Sequence, residues 1–194
     1  GKEFLPKDFK GKWNVLFFGF TFCPDICPIT MSMLSRIEKE IDSQELDKIR
    51  IFLVTVDPVR DNPSQLKIYL KNFSENFTGL TGGLDQIYNF ATRVNAPFTP
   101  INNSKDPYYT VDHTGSIVLI DPPPLPPRTW DMLHQWVSKG GGLVVWLGPS
   151  AGKPIEFSSA ESESVLGGRI KRVWRSPDRS NYFAPSSLDR PVLS

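Results

Sequence analysis

Trp13-Asn-Val-Leu-Phe-Phe-Gly-Phe20 runs directly into Thr21-Phe-Cys-Pro-Asp-Ile-Cys-Pro28, and the reading of this junction decides the fold. The first half is short, apolar and aromatic, which suits a strand buried on both faces. The second half carries both cysteines of the chain, Cys23 and Cys27. Pro28 stands where a helix can begin, because proline lacks the N–H that the first helical turn leaves unpaired. Beyond it Thr30, Met33, Leu34, Ile37 and Ile41 recur at spacings of three and four, predicting an amphipathic helix to Asp42.

The same alternation continues. Ile51-Phe-Leu-Val-Thr-Val56 is a second apolar strand, stopped by Asp57-Pro58. A helix follows from Pro63, carrying Leu66, Tyr69, Leu70 and Phe73. After Gly82-Gly83 another carries Leu84, Ile87, Tyr88, Ala91 and Val94. Residues 95–110 read as loop, and Ser116–Asp121 as a strand. Strands alternating with helices predict an α/β domain of two or three layers.

At Pro122 the character changes. Pro122-Pro-Pro-Leu-Pro-Pro127 cannot donate to a sheet ladder and favours an extended path, so residues 123–128 read as a stiff linker. Thr129 is placed to cap a helix to Ser138 with Trp130, Leu133, Trp136 and Val137 on one face. Gly140-Gly-Gly142 ends it, and Leu143–Leu147 is a last apolar strand. From Gly148 the Ser-, Pro- and Arg-rich composition predicts poor order. The expected division is a core domain over residues 1–122, the linker, and an atypical segment over 129–194.

Composition limits what such a chain can do. With 194 residues, 39% of them hydrophobic and 12% aromatic, it can bury a sizeable core. Its 22 basic and 21 acidic residues leave a net charge of +1, which offers no electrostatic footprint for nucleic acid. No apolar run reaches the ~20 residues that span a bilayer. The first residue is Gly1 rather than Met, so a fragment or processed form is expected, compatible with an upstream anchor.

Two cysteines four apart can bind a metal, exchange electrons as a dithiol, or form an inert bridge. With Pro28 opening the helix, Cys27 would cap it and Cys23 would lie in the loop, both sulfurs near the surface. The helix start favours thiolate, whereas the Asp25 carboxylate between the cysteines opposes it. A third soft donor would favour metal. Of the two histidines, His134 lies on a predicted helix surface. His113 sits in Val111-Asp-His-Thr114, just before a strand, where it can reach a neighbouring loop. Two sulfurs and one imidazole would suit Cu(I), while Zn(II) would need a fourth ligand.

Three stretches, Gly19-Phe-Thr-Phe-Cys-Pro-Asp-Ile-Cys-Pro28, Val56-Asp-Pro-Val-Arg-Asp61 and Tyr109-Thr-Val-Asp-His-Thr114, together resemble the Sco/SenC copper-chaperone family over residues 10–122. The resemblance implies a thioredoxin-like fold, a central mixed sheet flanked by helices. It also implies a protein that holds Cu(I) or Cu(II) through Cys23, Cys27 and His113. The implied task is assembly of the CuA centre of cytochrome c oxidase. Its partners would be the CuA-bearing subunit and other copper chaperones, and its place the bacterial periplasm or the mitochondrial intermembrane space, usually with an N-terminal membrane tether. The rival reading is a thiol–disulfide oxidoreductase using the same cysteines. Asp57, Arg60 and Asp61 belong to the second stretch, where Arg60 is expected to pair with a carboxylate.

The chain also departs from the family. Little of the N-terminal β-hairpin is present. Where the family continues from the Asp121 strand with a Gly turn, a strand and a terminal helix, this chain has the proline run. Residues 136–148 are distantly similar to the Gly-rich turn and strand of amidotransferase-like domains, with no nucleophilic cysteine beside them.

Overall fold

The computed structural model describes residues 2–42, 46–99, 109–113, 115–147, 157–167, 174–175 and 181–182. After a short 3-10 turn at Pro6–Phe9, the order is β1 (Trp13–Gly19), α1 (Ile26–Glu40), β2 (Ile49–Thr55), α2 (Pro63–Lys71), β3 (Thr78–Leu80) and α3 (Leu84–Arg93). Then come β4 (Ile117–Ile120), α4 (Pro127–Ser138), β5 (Leu143–Trp146), α5 (Ala160–Leu166), and a small pair β6 (Trp174–Arg175) and β7 (Asn181–Tyr182).

Five strands form one mixed sheet in the order β3-β2-β1-β4-β5. β1 is central, parallel to β2 and antiparallel to β4, with Leu16 opposite Phe52 and Val118. All seven of its residues are buried, which is why it reads as a continuous apolar run. Its odd positions face α1: Trp13 and Val15 share an apolar seam with Leu34 and Ile37. Its even positions face the other layer, where Phe18 lies 5.8 Å from Phe90 of α3. Phe9 joins that layer against Phe52 and Phe90. On the α1 side Ser35 donates to the Phe73 carbonyl at 2.8 Å, tying the end of α2 to α1.

The predicted elements are present with shifted ends. α1 begins at Ile26, two residues before Pro28, with Asp25 at the cap position. β3 has only three residues, too few for periodicity to register. Thr129 is not a cap: α4 starts at Pro127 after Pro126, and Thr129 is buried in its first turn. Proline at the first position again begins a helix at no hydrogen-bond cost. α5 is capped by Ser159, whose hydroxyl accepts from the Ser162 N–H. The expectation of poor order beyond Gly148 falls mostly on residues outside those described.

After β4 the chain enters a helix before its next strand. That order sets the direction of the strand. A tight turn would return an antiparallel strand, whereas a helix carries the chain back so that β5 runs parallel to β4, Ile117 opposite Leu143. The glycine run makes this compact. A Cβ on Gly141 would fall 2.1 Å from the Trp136 indole, and one on Gly142 would fall 2.7 Å from Ser116 Oγ. α4 buries Trp130, Leu133 and Trp136, and Trp130 meets Phe157 edge to face. Leu125, Thr129 and Leu133 line the same seam as Trp13 and Leu34, so α4 covers the sheet beside α1.

Trp130, 1% exposed, therefore belongs to the core. Trp130→Ala should cost about 3–5 kcal/mol in urea unfolding. A loss within about 0.5 kcal/mol, as for a surface position, would show that α4 is not part of the cooperative unit.

Candidate metal centre

Cys23, Cys27 and His113 come together at the end of β1, their ligand atoms all within 4.8 Å of one another. They are the group of this kind among the described residues, and none of the three is adjacent to another in sequence. Cys23 lies in the loop after β1, and Cys27 in the first turn of α1. Both are free thiols and, against expectation, both are buried. Cys27 reaches back over the strand end. A Cβ on Gly19 would fall 2.7 Å from its sulfur, so glycine makes room for this ligand.

His113 arrives from a segment bridged to Phe98. Its Nδ1 lies 3.0 Å from the Val111 carbonyl and its Nε2 lies 3.4 Å from Cys27 Sγ. A carbonyl only accepts, so Nδ1 carries the proton and Nε2 presents its lone pair to the cysteines. This is the arrangement in which an outer hydrogen bond fixes the tautomer of a ligating imidazole. The Phe20 ring meets the imidazole edge-on at 5.3 Å. His134 is exposed on α4, away from this group.

The two thiols differ in acidity. A hydrogen bond from Cys27 brings Cys23 down to about 5, against the opposing effect of burial. The backbone N–H groups of Asp25 and Cys27 and the nearby His113 add to that lowering. Cys27 is pushed up, first by the same hydrogen bond and then by burial. The expected opposition from Asp25 is not the outcome: the residue is exposed, and it contributes a favourable backbone N–H.

Two aspartates hold this arrangement without joining it. Asp61, fully buried, accepts from Thr21 N at 3.0 Å, Thr21 Oγ1 at 2.5 Å and Thr55 Oγ1 at 2.7 Å. It thereby ties the cysteine loop to the end of β2. Burial raises its pKa even so. Asp57 pairs with Arg60, as the sequence predicts, and accepts from Tyr109 Oη at 2.7 Å. These contacts occupy both carboxylates, which leaves a sulfur-and-imidazole donor set unsuited to hard cations. Sequence reasoning assigned no role to Thr21, Thr55 or Tyr109. The only signal was that Thr21 and Tyr109 belong to two of the three stretches and Thr55 directly precedes the other, because such long-range partners leave no periodic trace.

Metal-free reduced protein should show one thiolate titrating near pH 5 by ultraviolet absorbance, with the second appearing only at strongly alkaline pH. A depressed thiol stabilises the fold above its unfolded value and loses that contribution as pH falls toward 5. Cys23 should therefore add stability between pH 5 and the ordinary thiol range. Two thiolates titrating together in that ordinary range would contradict this coupling. Asp61→Asn places an amide donor against groups that already donate, and should cost about 1–3 kcal/mol in chemical unfolding.

A profile of the SCO1/SenC family matches residues 1–135. Mitochondrial SCO2 of Saccharomyces cerevisiae is 39% identical over 123 residues, covering 63% of this chain and 41% of that protein. A SCO2-like protein of Rickettsia felis is 37% identical over 122 residues, covering 62% of this chain and 59% of that protein. The chain thus spans about half the length of these relatives. Among solved structures, yeast Sco1 with copper bound aligns at 36% identity and TM-score 0.57, over 63% of this chain and 68% of that one. Bradyrhizobium japonicum ScoI with copper bound aligns at 38% identity and TM-score 0.52, over 59% and 72%. The fold is the thioredoxin-like one of these proteins, and the chain belongs to the SCO1/SenC family.

Proposed function

We propose that this protein is a copper carrier for cytochrome c oxidase assembly, with Cys23, Cys27 and His113 as the ligands of its cargo. The observation that carries the reading is the convergence of two sulfurs and one imidazole nitrogen, with the Asp57 and Asp61 carboxylates engaged elsewhere. Such a donor set suits a soft ion of low coordination number. The copper-bound solved relatives support it. The acceptor is the CuA-bearing subunit, with other copper chaperones as donors. Delivery takes place at the outer face of a bacterial inner membrane or in the mitochondrial intermembrane space, consistent with mitochondrial and bacterial relatives. Among the described residues no helix is long and apolar enough to cross a membrane.

The chemistry follows from the asymmetry of the pair. Cys23 is already a thiolate at neutral pH and forms the first bond. Cys27 gives up its proton as the ion binds, because the metal stabilises the thiolate that the hydrogen bond with Cys23 and burial otherwise disfavour. His113 donates through Nε2 without losing a proton. Three donors leave a face open, where an incoming thiolate from the acceptor can displace one ligand at a time.

The oxidoreductase reading draws on the same low value at Cys23, which would let it attack a disulfide. The elevated value at Cys27 does not separate the two readings, because its first cause, the hydrogen bond with Cys23, is gone once Cys23 is in a mixed disulfide. The third donor His113 does, since a dithiol needs none.

Anaerobic Cu(I) titration of reduced protein tests the proposal. Wild type should bind one ion more tightly than Cys23→Ser, Cys27→Ser or His113→Ala, and affinity should fall as pH drops because binding releases protons. Equal affinity in all four proteins would refute the copper reading. Disulfide-reductase turnover that survives His113→Ala, with no copper bound by wild type, would establish the rival.

A further inference from the structure

Of the three donor side chains, His113 is the one with the least local support. Both cysteines are buried on either side of the junction of β1 and α1, whereas His113 is half-buried and, among the described residues, its segment makes one isolated bridge. Its place near the cysteines depends on contacts earlier in the segment. Tyr109, four residues before it, lays its ring against the Arg60 guanidinium, whose central carbon is 3.7 Å from the ring centroid. The same carbon lies 4.9 Å from the Phe22 centroid and 5.6 Å from that of Phe20. Phe22 precedes Cys23, and Phe20 packs edge-on against the His113 imidazole. Asp57 closes the unit by pairing with Arg60 and accepting from Tyr109 Oη. One planar cation thus touches both the cysteine loop and the histidine segment.

We propose that Arg60 is a positioning residue that sets His113 over the cysteine pair, so that the Arg60–Tyr109 clamp decides whether the cargo ion is held by three donors or by two. The inference rests on the copper reading of Cys23, Cys27 and His113. A guanidinium has no lone pair to offer a metal, so Arg60 acts through the rings it holds. The geometry needs arginine. Its flat, delocalised face stacks on Tyr109 while its edge keeps the Asp57 pair, and a lysine ammonium can do only one of these at a time.

The test is a double-mutant cycle on reduced protein. Cu(I) affinity is measured by competition with a chromophoric chelator for Arg60→Ala, Arg60→Lys and Tyr109→Leu, each with His113 present and with His113→Ala. Arg60→Ala and Tyr109→Leu should weaken binding about 10–100-fold, the range for outer partners of a metal ligand. Arg60→Lys should recover little, and none of the three should cost anything further once His113 is gone. In metal-free protein, the His113 imidazole resonances should shift in Arg60→Ala. Losses of equal size in the His113→Ala background would overturn the proposal, because the clamp would then act on the cysteine loop or the fold at large. Wild-type affinity in folded Arg60→Ala would overturn it as well, as would unmoved imidazole resonances. Should Arg60→Ala fail to fold, Tyr109→Leu carries the same cycle. A failure of the copper reading is distinct: wild type itself would bind no tighter than the cysteine variants.

Discussion

A buried carboxylate anchors the site. Asp61 has lost its water, and it is kept inside the protein by three hydrogen bonds from Thr21 and Thr55. Without them its burial would be costly. With them it fastens the loop after β1 to the last residue of β2, and so sets where Cys23 can lie. Thr55 also accepts from the Asp57 N–H at 3.0 Å, so the same knot places the Asp57–Arg60 pair. Two strand ends of a parallel pair become one rigid platform, a common place for a ligand site in α/β folds.

The sheet supplies the rest of the precision. β1 is buried along its whole length, so the ligand loop hangs from a strand packed on both faces. Gly19 closes the strand and leaves space for the Cys27 sulfur, which puts that thiol in an apolar setting. The result is one ready thiolate and one reluctant thiol a few ångströms apart. A soft ion bound there would draw the second proton off, and its release would give that proton back.

The C-terminal elements join at the far edge of the sheet. α4 makes a crossover from β4 to β5, which pairs with β4 on the side away from β2 and β3. α4 takes its place beside α1 with two buried tryptophans. β5 lies at the edge of the sheet, and the cysteine loop hangs from the end of its central strand.

Much of the architecture was legible in the residues alone. The apolar runs of β1 and β2, the three-and-four spacing of α1, and Pro63 at the head of α2 all act over a few residues, so they leave a local pattern. The cysteine pair and His113 were visible as soft donors, and the likeness of three stretches to one family joined them. What the sequence could not carry was anything set by partners far apart in the chain. The burial of both thiols, the opposite shifts of their acidities, and the favourable N–H of Asp25 depend on how α1 meets the strand end. The Asp61 knot spans forty residues to Thr21, and the Tyr109 bond to Asp57 spans fifty-two. Such contacts have no period to read. The direction of β5 likewise followed from where α4 could bury its tryptophans, which only the packed sheet decides.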